Sequence, residues 1–269
     1  MLIVDRQQRL LDILQQQRSA QLDDLAAKLG VSASTVRRDL EALEKTGAVR
    51  RTHGGAVYTG SPEIRPASFA LATRMTEHVP AKEAIGRYAA SLVQPNMTVL
   101  MDGGSTVILA AKQITARPIQ IVTTSLSIAQ LFHEDDQAEV ILIGGTVYPR
   151  TEVTFGPLTL ATLADLHADL LLFSLAGIEM DDAAEGEPAS VGAFNINLDI
   201  SHVEQAMIRR AARSVLLMDS SKFGRKSLVR TCGVVDIDQV VSDAGVPGAW
   251  IERMGPRLVV VGPEGEPVQ

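Results

Sequence analysis

The chain has 269 residues, which is long enough for one small and one larger domain, because a domain usually holds about 100 to 200 residues. Apolar residues make up 46% and charged residues 21%, a composition that allows a sizeable buried core and argues against disorder. The apolar runs are strand-sized, the N-terminus shows no secretory signal, and the single cysteine, Cys232, excludes an internal disulfide. We therefore expect a globular cytoplasmic protein with no membrane partner.

The net charge of −7 is divided unevenly along the chain. Residues 1–58 carry nine Lys and Arg against seven Asp and Glu, whereas the remainder carries 16 against 25. The acidic remainder of the chain opposes non-specific binding to a phosphate backbone. Nucleic acid can therefore approach only the basic positions of residues 1–58.

Three amphipathic helices are predicted in that first segment. Apolar residues recur at spacings of three and four over 9–14 and 22–29, and Gly30 ends the second helix. Ser32 is a suitable N-cap for a third helix, which places three apolar residues on one face, Val36, Leu40 and Leu43. Three helices joined by short turns form a compact unit.

A β-hairpin is predicted directly after the third helix. Two short extended runs flank Gly54 and Gly55, and we expect these glycines to be needed for positive φ rather than for ligand contact.

The outward face of the third helix carries side chains that suit the major groove of DNA. Arginine can bond guanine with two hydrogen bonds, and serine or threonine can reach bases or phosphates. Basic residues of the hairpin would lie beside the phosphates. The predicted DNA-binding residues are Ser34, Thr35, Arg37, Arg38, Arg50, Arg51 and His53. Two alternatives stay open: Arg37 could pair with Glu41 on a solvated helix, and His53 could only order the turn.

The stretch LAAKLGVSASTVRRDLEALEKTGAVRRTHGGA resembles the signature of the DeoR family of bacterial regulators, above all in VSASTVRRDL and RTHGGA. The resemblance covers roughly residues 1–58. It implies that the third helix recognises operator DNA and that the hairpin is the wing of a winged helix-turn-helix domain.

Residues 59–76 are predicted to be a linker, since TGSPEIRPAS combines two prolines, a glycine and small polar residues. Beyond it, strand-like and helical runs alternate, which predicts a mostly parallel, Rossmann-like α/β domain over 77–269. The predicted helices cover 81–93, 105–114, 125–132, 157–166 and 199–213. The predicted strands cover 97–101, 119–123, 139–143, 169–175, 214–218 and 239–242, and the segment 179–198 is interpreted as an irregular insertion.

Small, polar and glycine residues follow several of the predicted strands. Ligands of open α/β sheets bind at the carboxyl ends of the strands, and a glycine-rich turn before a helix presents unpaired N–H groups to an anion. Lys222 is the one cation that the sequence places among these loops, and it is a candidate phosphate partner. The predicted effector-binding residues are Asp102, Gly103, Gly104, Ser105, Thr106, Thr123, Thr124, Ser125, Gly144, Gly145, Gly177 and Lys222. A plain tight turn capped by Ser105 explains the first loop equally well.

The same segments resemble the C-terminal sensor of the DeoR family, from about Phe69 through Lys82 and DSSKFG to Asp243. The resemblance implies a fold similar to ribose-phosphate isomerases and a sugar phosphate as ligand. Three motifs depart from the family pattern. Asp102-Gly103-Gly104-Ser105-Thr106 replaces D-x-G-T-T, Thr123-Thr124-Ser125 replaces T-N-S, and His202-Val203-Glu204 replaces Glu-Val-Lys. Ser105 keeps a hydroxyl for phosphate, whereas the other changes affect sugar identity.

The leading hypothesis is a homo-oligomeric transcriptional regulator, a dimer or tetramer, whose operator affinity depends on a phosphorylated sugar metabolite. A repressor of a carbohydrate operon is the expected role, with no catalytic residue, cofactor or metal. The alternative is a sugar-phosphate isomerase that carries a DNA-binding domain, but the sequence offers it no carboxylate at the strand ends beyond Asp102 and Asp219.

Overall fold

The computed structural model describes residues 6–7, 9–10, 13–14, 19–45, 49–52, 54–58, 70–180 and 190–268. The chain divides into two compact units, Met1–Ala70 and Leu71–Gln269. Each unit has its own apolar core. Among the described helices, none combines the length and the hydrophobicity that a membrane crossing requires.

The first unit consists of helices and a three-stranded antiparallel sheet. Its described elements are β1 (Ser19–Gln21), α1 (Leu22–Leu29), α2 (Ala33–Lys45), β2 (Val49–Thr52) and β3 (Gly55–Tyr58), and the residues described between 6 and 14 are helical. Gly30 ends α1 in the left-handed conformation, with φ of 65°. The apolar face predicted for α2 is confirmed, because Val36, Leu40 and Leu43 are all buried.

The predicted hairpin is confirmed, but the reason given for its glycines is wrong. β2 and β3 pair antiparallel, and β3 also pairs with β1, a strand that the sequence did not predict. Neither Gly54 nor Gly55 has a positive φ. Gly55 is required by close approach, because a Cβ atom there would lie 2.1 Å from the carbonyl oxygen of Ala20.

The second unit is built around a seven-stranded sheet in which every neighbouring pair is parallel, in the order β15-β14-β12-β9-β4-β5-β6. Its strands are β4 (Thr98–Met101), β5 (Ile119–Thr123), β6 (Ala138–Leu142), β9 (Ala168–Phe173), β12 (Ala211–Leu217), β14 (Gln239–Asp243) and β15 (Leu258–Val261). Strand order reverses between β4 and β9, and such a reversal opens a crevice at the carboxyl ends.

The helices of this unit are α3 (Leu71–Arg74), α4 (Val79–Ser91), α5 (Ser105–Ala111), α6 (Leu126–Phe132), α7 (Pro157–Ala164), α8 (Leu198–Arg210) and α9 (Gly248–Met254). Two apolar clusters of buried residues surround the parallel sheet. The first contains Ile85, Val99 and Val107, and the second contains Leu171, Met207 and Leu216. The predicted α/β architecture is confirmed.

Two small antiparallel sheets were missed by the periodicity analysis. β7 (Thr146–Tyr148) pairs with β8 (Val153–Phe155), and β11 (Val191–Asn195) lies between β10 (Gly177–Met180) and β13 (Val229–Gly233). The segment 179–198 is therefore not wholly irregular, although 181–189 lie outside the described residues.

The predicted linker, 59–76, reaches into the second unit. Residues 59–69 lie outside the described part, whereas α3 follows at 71–74. Leu71 is buried in the first apolar cluster of the second unit, and its N–H donates to the carbonyl oxygen of Arg150.

Candidate DNA-binding and effector-binding sites

The N-terminal end of α2 presents hydroxyl and guanidinium groups to solvent. The Ser32 hydroxyl accepts from the Thr35 N–H at 3.2 Å, which confirms the predicted cap. Ser34, Arg37 and Arg38 are exposed, and Thr35 is half-buried. Neither arginine pairs with another residue in the part of the chain that the structure describes, so both guanidinium groups are free to bind a ligand.

Arg51 is held by two glutamates of α2. Its Nε contacts Glu44 at 2.7 Å, its Nη1 contacts Glu41 at 2.8 Å, and its backbone N–H donates to Glu44. These bonds attach β2 to the helix. Glu41 therefore pairs with Arg51 and not with Arg37, the partner that the alternative interpretation of the helix predicted.

The other two predicted wing residues are less fully described. Arg50 lies in β2, and His53 lies outside the described residues. The helix also contains a pair that the sequence did not predict, because buried Asp39 accepts from Arg6 at 2.5 Å.

The glycine-rich turn after β4 begins with a buried carboxylate, that of Asp102. Asp102 is buried directly before Gly103 and Gly104. Burial raises the pKa of Asp102, whereas the backbone N–H groups of Gly103, Gly104 and Ser174 lower it.

The glycines of this turn are required by packing. A Cβ at Gly103 would lie 2.1 Å from a side-chain carbon of Val153, and one at Gly104 would lie 2.6 Å from the Cβ of Ser174. Ser105 and Thr106 follow at the start of α5, both buried. Their hydroxyls form no hydrogen bond with any described residue, so they remain available to a ligand.

Other predicted effector residues stabilise the loops. The Thr123 hydroxyl donates to the Met101 carbonyl and accepts from the Ser125 N–H, while the Ser125 hydroxyl caps α6. Thr124 is buried, and its carbonyl accepts from Thr154. Their polar atoms are therefore largely engaged within the fold.

The remaining predicted glycines make close contacts. Gly144 accepts from the Thr159 hydroxyl at 2.7 Å, and Gly145 has a φ of 151°. Gly177 begins β10 so close to Arg225 that a Cβ would lie 2.5 Å from its carbonyl oxygen.

Three cations meet at the carboxyl ends of the strands, which corrects the expectation that Lys222 is the one cation there. Lys222 is half-buried, and its ammonium group forms no hydrogen bond with the residues described. Lys82 of α4 is only 4% exposed and donates to the carbonyl oxygen of Arg74. Burial lowers the pKa of each lysine, Asp219 opposes this, and the two ammonium groups repel each other.

Arg74 is a cation of the site on which several carboxylates act electrostatically. Burial lowers its pKa, whereas Asp102, Glu77 and Glu204 act in the opposite direction. Its Nε is buried and has no hydrogen-bond partner among the described residues. A buried donor that lacks a partner is costly, so this guanidinium is suited to receive a ligand atom.

The acidic side contains a glutamate that the sequence analysis did not place there. Glu204 of α8 is 1% exposed, and its Oε1 accepts from Asn195 Nδ2 at 2.5 Å. Burial, and then the neighbouring Asp102, raise the pKa of Glu204 well above its usual range. Asp219 has one carboxylate oxygen bonded to Ser221 and a second, Oδ2, with no partner.

We call these residues the strand-end cluster: Arg74, Lys82, Asp102, Ser105, Thr106, Glu204, Asp219 and Lys222. It holds three cations, three acids and two unpaired hydroxyls. No group of three metal-ligating side chains suited to a metal ion was found over the described ranges. The sequence missed Arg74 because it fell in the predicted linker. It missed Lys82, and it named Glu204 only as a departure from the family motif, because a helical position does not show which end of a sheet it faces.

Family models match both units of the chain. The model for the DeoR-like helix-turn-helix domain matches residues 6–61, and that for the DeoR C-terminal sensor domain matches residues 77–244. Among solved structures, a ribose 5-phosphate isomerase A from Methanocaldococcus jannaschii is 15% identical, covers 53% of each chain and has a TM-score of 0.34.

Curated relatives are similar over nearly their full length. A putative aga operon transcriptional repressor of Escherichia coli O157:H7 is 29% identical over 96% of this chain and 94% of its own. The transcriptional regulator GolR of Listeria innocua is 30% identical over 93% and 94%, and an L-fucose operon activator of E. coli K12 is 30% identical over 88% and 94%. The chain belongs to the DeoR family of helix-turn-helix transcriptional regulators.

Proposed function

We propose that this protein represses a carbohydrate operon and that a phosphorylated sugar, bound at the strand-end cluster, changes its affinity for operator DNA. The observation that carries the effector half is the pair of partly desolvated lysines, Lys82 and Lys222. Burial lowers the pKa of both, and Lys222 lowers that of Lys82 further, so a phosphate dianion between them would relieve both the repulsion and the lost hydration.

The DNA half is supported by the exposed face of α2. Ser34, Thr35, Arg37 and Arg38 would read the major groove, where the first turn of a recognition helix contacts base edges. Arg50, Arg51 and His53 would contact phosphates from the wing. Arg51 would first have to leave Glu41 and Glu44, or share its guanidinium with them.

Control of DNA binding requires that the effector bind the two functional states unequally, because a ligand shifts an equilibrium only by its differential affinity. Relatives are named both repressors and activators, and the operator shift assay measures the direction of the response. The cytoplasm is the compartment that we propose, since the operator is there.

The test combines a thermal-shift screen with an operator shift assay. Sugar phosphates should raise the apparent melting temperature as ligand concentration exceeds Kd, whereas the corresponding neutral sugars should not. Operator selected from random duplexes should then bind differently with and without the active compound. A full panel of sugar phosphates that leaves both measurements unchanged would contradict the proposal.

A second candidate function is supported by Glu204. The sequence offered an isomerase no suitable carboxylate, but Glu204 is buried beside Asp102 with a raised pKa, as a general base often is. Turnover would be detected by incubating the full chain with ribose 5-phosphate or hexose phosphates and measuring the ketose formed. Glu204→Gln is the control, because activity that survives this change does not come from the site.

A further inference from the structure

The Glu204 carboxyl is oriented by a chain of two hydrogen bonds. The Ile196 N–H donates to Asn195 Oδ1 at 2.6 Å, which fixes the amide so that its Nδ2 faces Glu204. Oε1 of Glu204 is therefore an acceptor. Its second oxygen, Oε2, is buried and has no hydrogen-bond partner in the described part of the chain.

The surroundings of this carboxyl disfavour a negative charge. Asp102 is a second buried carboxyl next to it, and Arg74 is the one cation whose field acts on it among the described residues. The Cys232 thiol of β13 interacts electrostatically with Glu204, but burial, then Asp236 and then Glu204 raise the pKa of that thiol to about 12, so it stays neutral. An ionised carboxylate needs donors on both oxygens, and here one oxygen has none.

A neutral carboxyl in this position has a defined proton location. Oε1 accepts from Asn195, so the proton lies on Oε2. The result is a hydroxyl donor near Asp102 and Arg74, two members of the strand-end cluster, with no acceptor among the residues that the structure describes. Such a donor gains a full hydrogen bond only when a ligand supplies an acceptor.

We propose that Glu204 reads the sugar part of the effector as a neutral carboxylic acid, donating a hydrogen bond from Oε2 to a hydroxyl or carbonyl oxygen. This inference rests on the proposed function, because it concerns the same site. It excludes an ammonium group at this position of the ligand, since an ammonium cannot accept a hydrogen bond. The phosphate would lie at the opposite, lysine side of the cluster.

The direction of the pH dependence follows from this assignment. A ligand that accepts a hydrogen bond from protonated Glu204 binds best below the pKa of Glu204. It loses affinity as the pH rises through that pKa. The lysines titrate as well, but they do so equally in a Glu204→Gln variant. The ratio of wild-type to variant affinity therefore isolates the carboxyl.

The experiment compares wild type, Glu204→Gln and Glu204→Met by calorimetry with ribose 5-phosphate, glucose 6-phosphate, fructose 6-phosphate, fructose 1-phosphate and inorganic phosphate over a pH series. Glutamine keeps a neutral donor, so sugar-phosphate affinity should stay within about threefold of the low-pH wild type and should not share its alkaline loss. Methionine removes the donor and should cost roughly tenfold. Inorganic phosphate should bind all three proteins equally.

Infrared difference spectra of the ligand-free full chain provide a second measurement. At neutral pH, wild type minus Glu204→Gln should show the band of a protonated carboxyl group rather than that of a carboxylate. Glutamine losing as much affinity as methionine, a carboxylate band, or unchanged affinity in the methionine variant would each overturn the inference. Wild type that binds no sugar phosphate would instead contradict the proposed function itself.

Discussion

At the scale of single residues, some polar groups at the strand ends are hydrogen-bonded within the fold, whereas others form no hydrogen bond with a described residue. The hydroxyls of Thr123 and Ser125 are bonded within the loops, whereas the ammonium group of Lys222 and the hydroxyl of Ser105 form no hydrogen bond with a described residue. Because unpaired polar groups are costly to bury, the second kind is the better candidate for ligand contact.

We expect Lys222→Met to weaken effector binding by roughly tenfold to more than a hundredfold. Methionine keeps most of the apolar stem but removes a charge-assisted hydrogen bond worth about 1.5 to 3 kcal/mol. Operator binding without effector should stay nearly unchanged, because the residue belongs to the other compact unit. Calorimetry and an operator shift assay measure the two effects, and Lys112→Met, an exposed lysine after α5, is the matched control. Equal effector affinity in both variants would make Lys222 an ordinary solvated lysine.

Arg38→Ala should weaken cognate operator binding by about 1 to 3 kcal/mol and relax the sequence preference, since the side chain is exposed and unpaired on the reading face of α2. Arg51→Ala should instead weaken binding to all DNA and lower the salt slope by about 1. Titrations on cognate and scrambled duplexes at several salt concentrations distinguish the two. Identical behaviour of the variants would contradict the assigned roles.

At the scale of elements, the regular units were predictable from residue spacing. The strand over 119–123 has the predicted bounds, and the other predicted strands and helices of the sensor unit differ by one to three residues at their ends. The hairpin β7–β8 and the sheet β10–β11–β13 were missed. Their strands are three to five residues long, so a period of two has too few repeats to be recognised.

Gly55→Ala should destabilise the wing by about 1 to 3 kcal/mol. The added methyl would overlap the backbone of β1 at Ala20, and a backbone atom cannot move aside as a flexible side chain can. Hydrogen exchange of the full chain, followed on peptides from 19–58, should show faster exchange there and none in the sensor. Gly54→Ala is the control, because its nearest neighbour is the end of the Gln21 side chain. Equal protection in the two variants would contradict the close-approach argument.

At the scale of the whole molecule, we predict a homo-oligomer that is at least a dimer. A single recognition helix reads too few base pairs for selectivity in a genome, and paired half-sites multiply that selectivity. Light scattering on the full chain, alone and with selected operator, measures the mass. A monomer on the operator would contradict the prediction, whereas a dimer or tetramer would agree with it.

The sequence by itself determined the two-part organisation, the recognition helix and most of the parallel sheet. Each depends on local patterns, namely apolar periodicity, caps, and small residues after strands, which residues close in the chain express directly. Asp102 and Lys222 were found for the same reason, because Asp102 directly follows β4 and Lys222 lies in the loop after β12.

The tertiary structure alone decided the composition of the strand-end cluster. Arg74 and Lys82 come from the consecutive helices α3 and α4, Glu204 comes from α8 far along the chain, and only tertiary packing directs them to the same crevice. The sequence could not predict the protonation of these groups either. Burial and neighbouring charges raise the pKa of Glu204 and lower those of the lysines. Both properties depend on distances between residues that are remote in sequence.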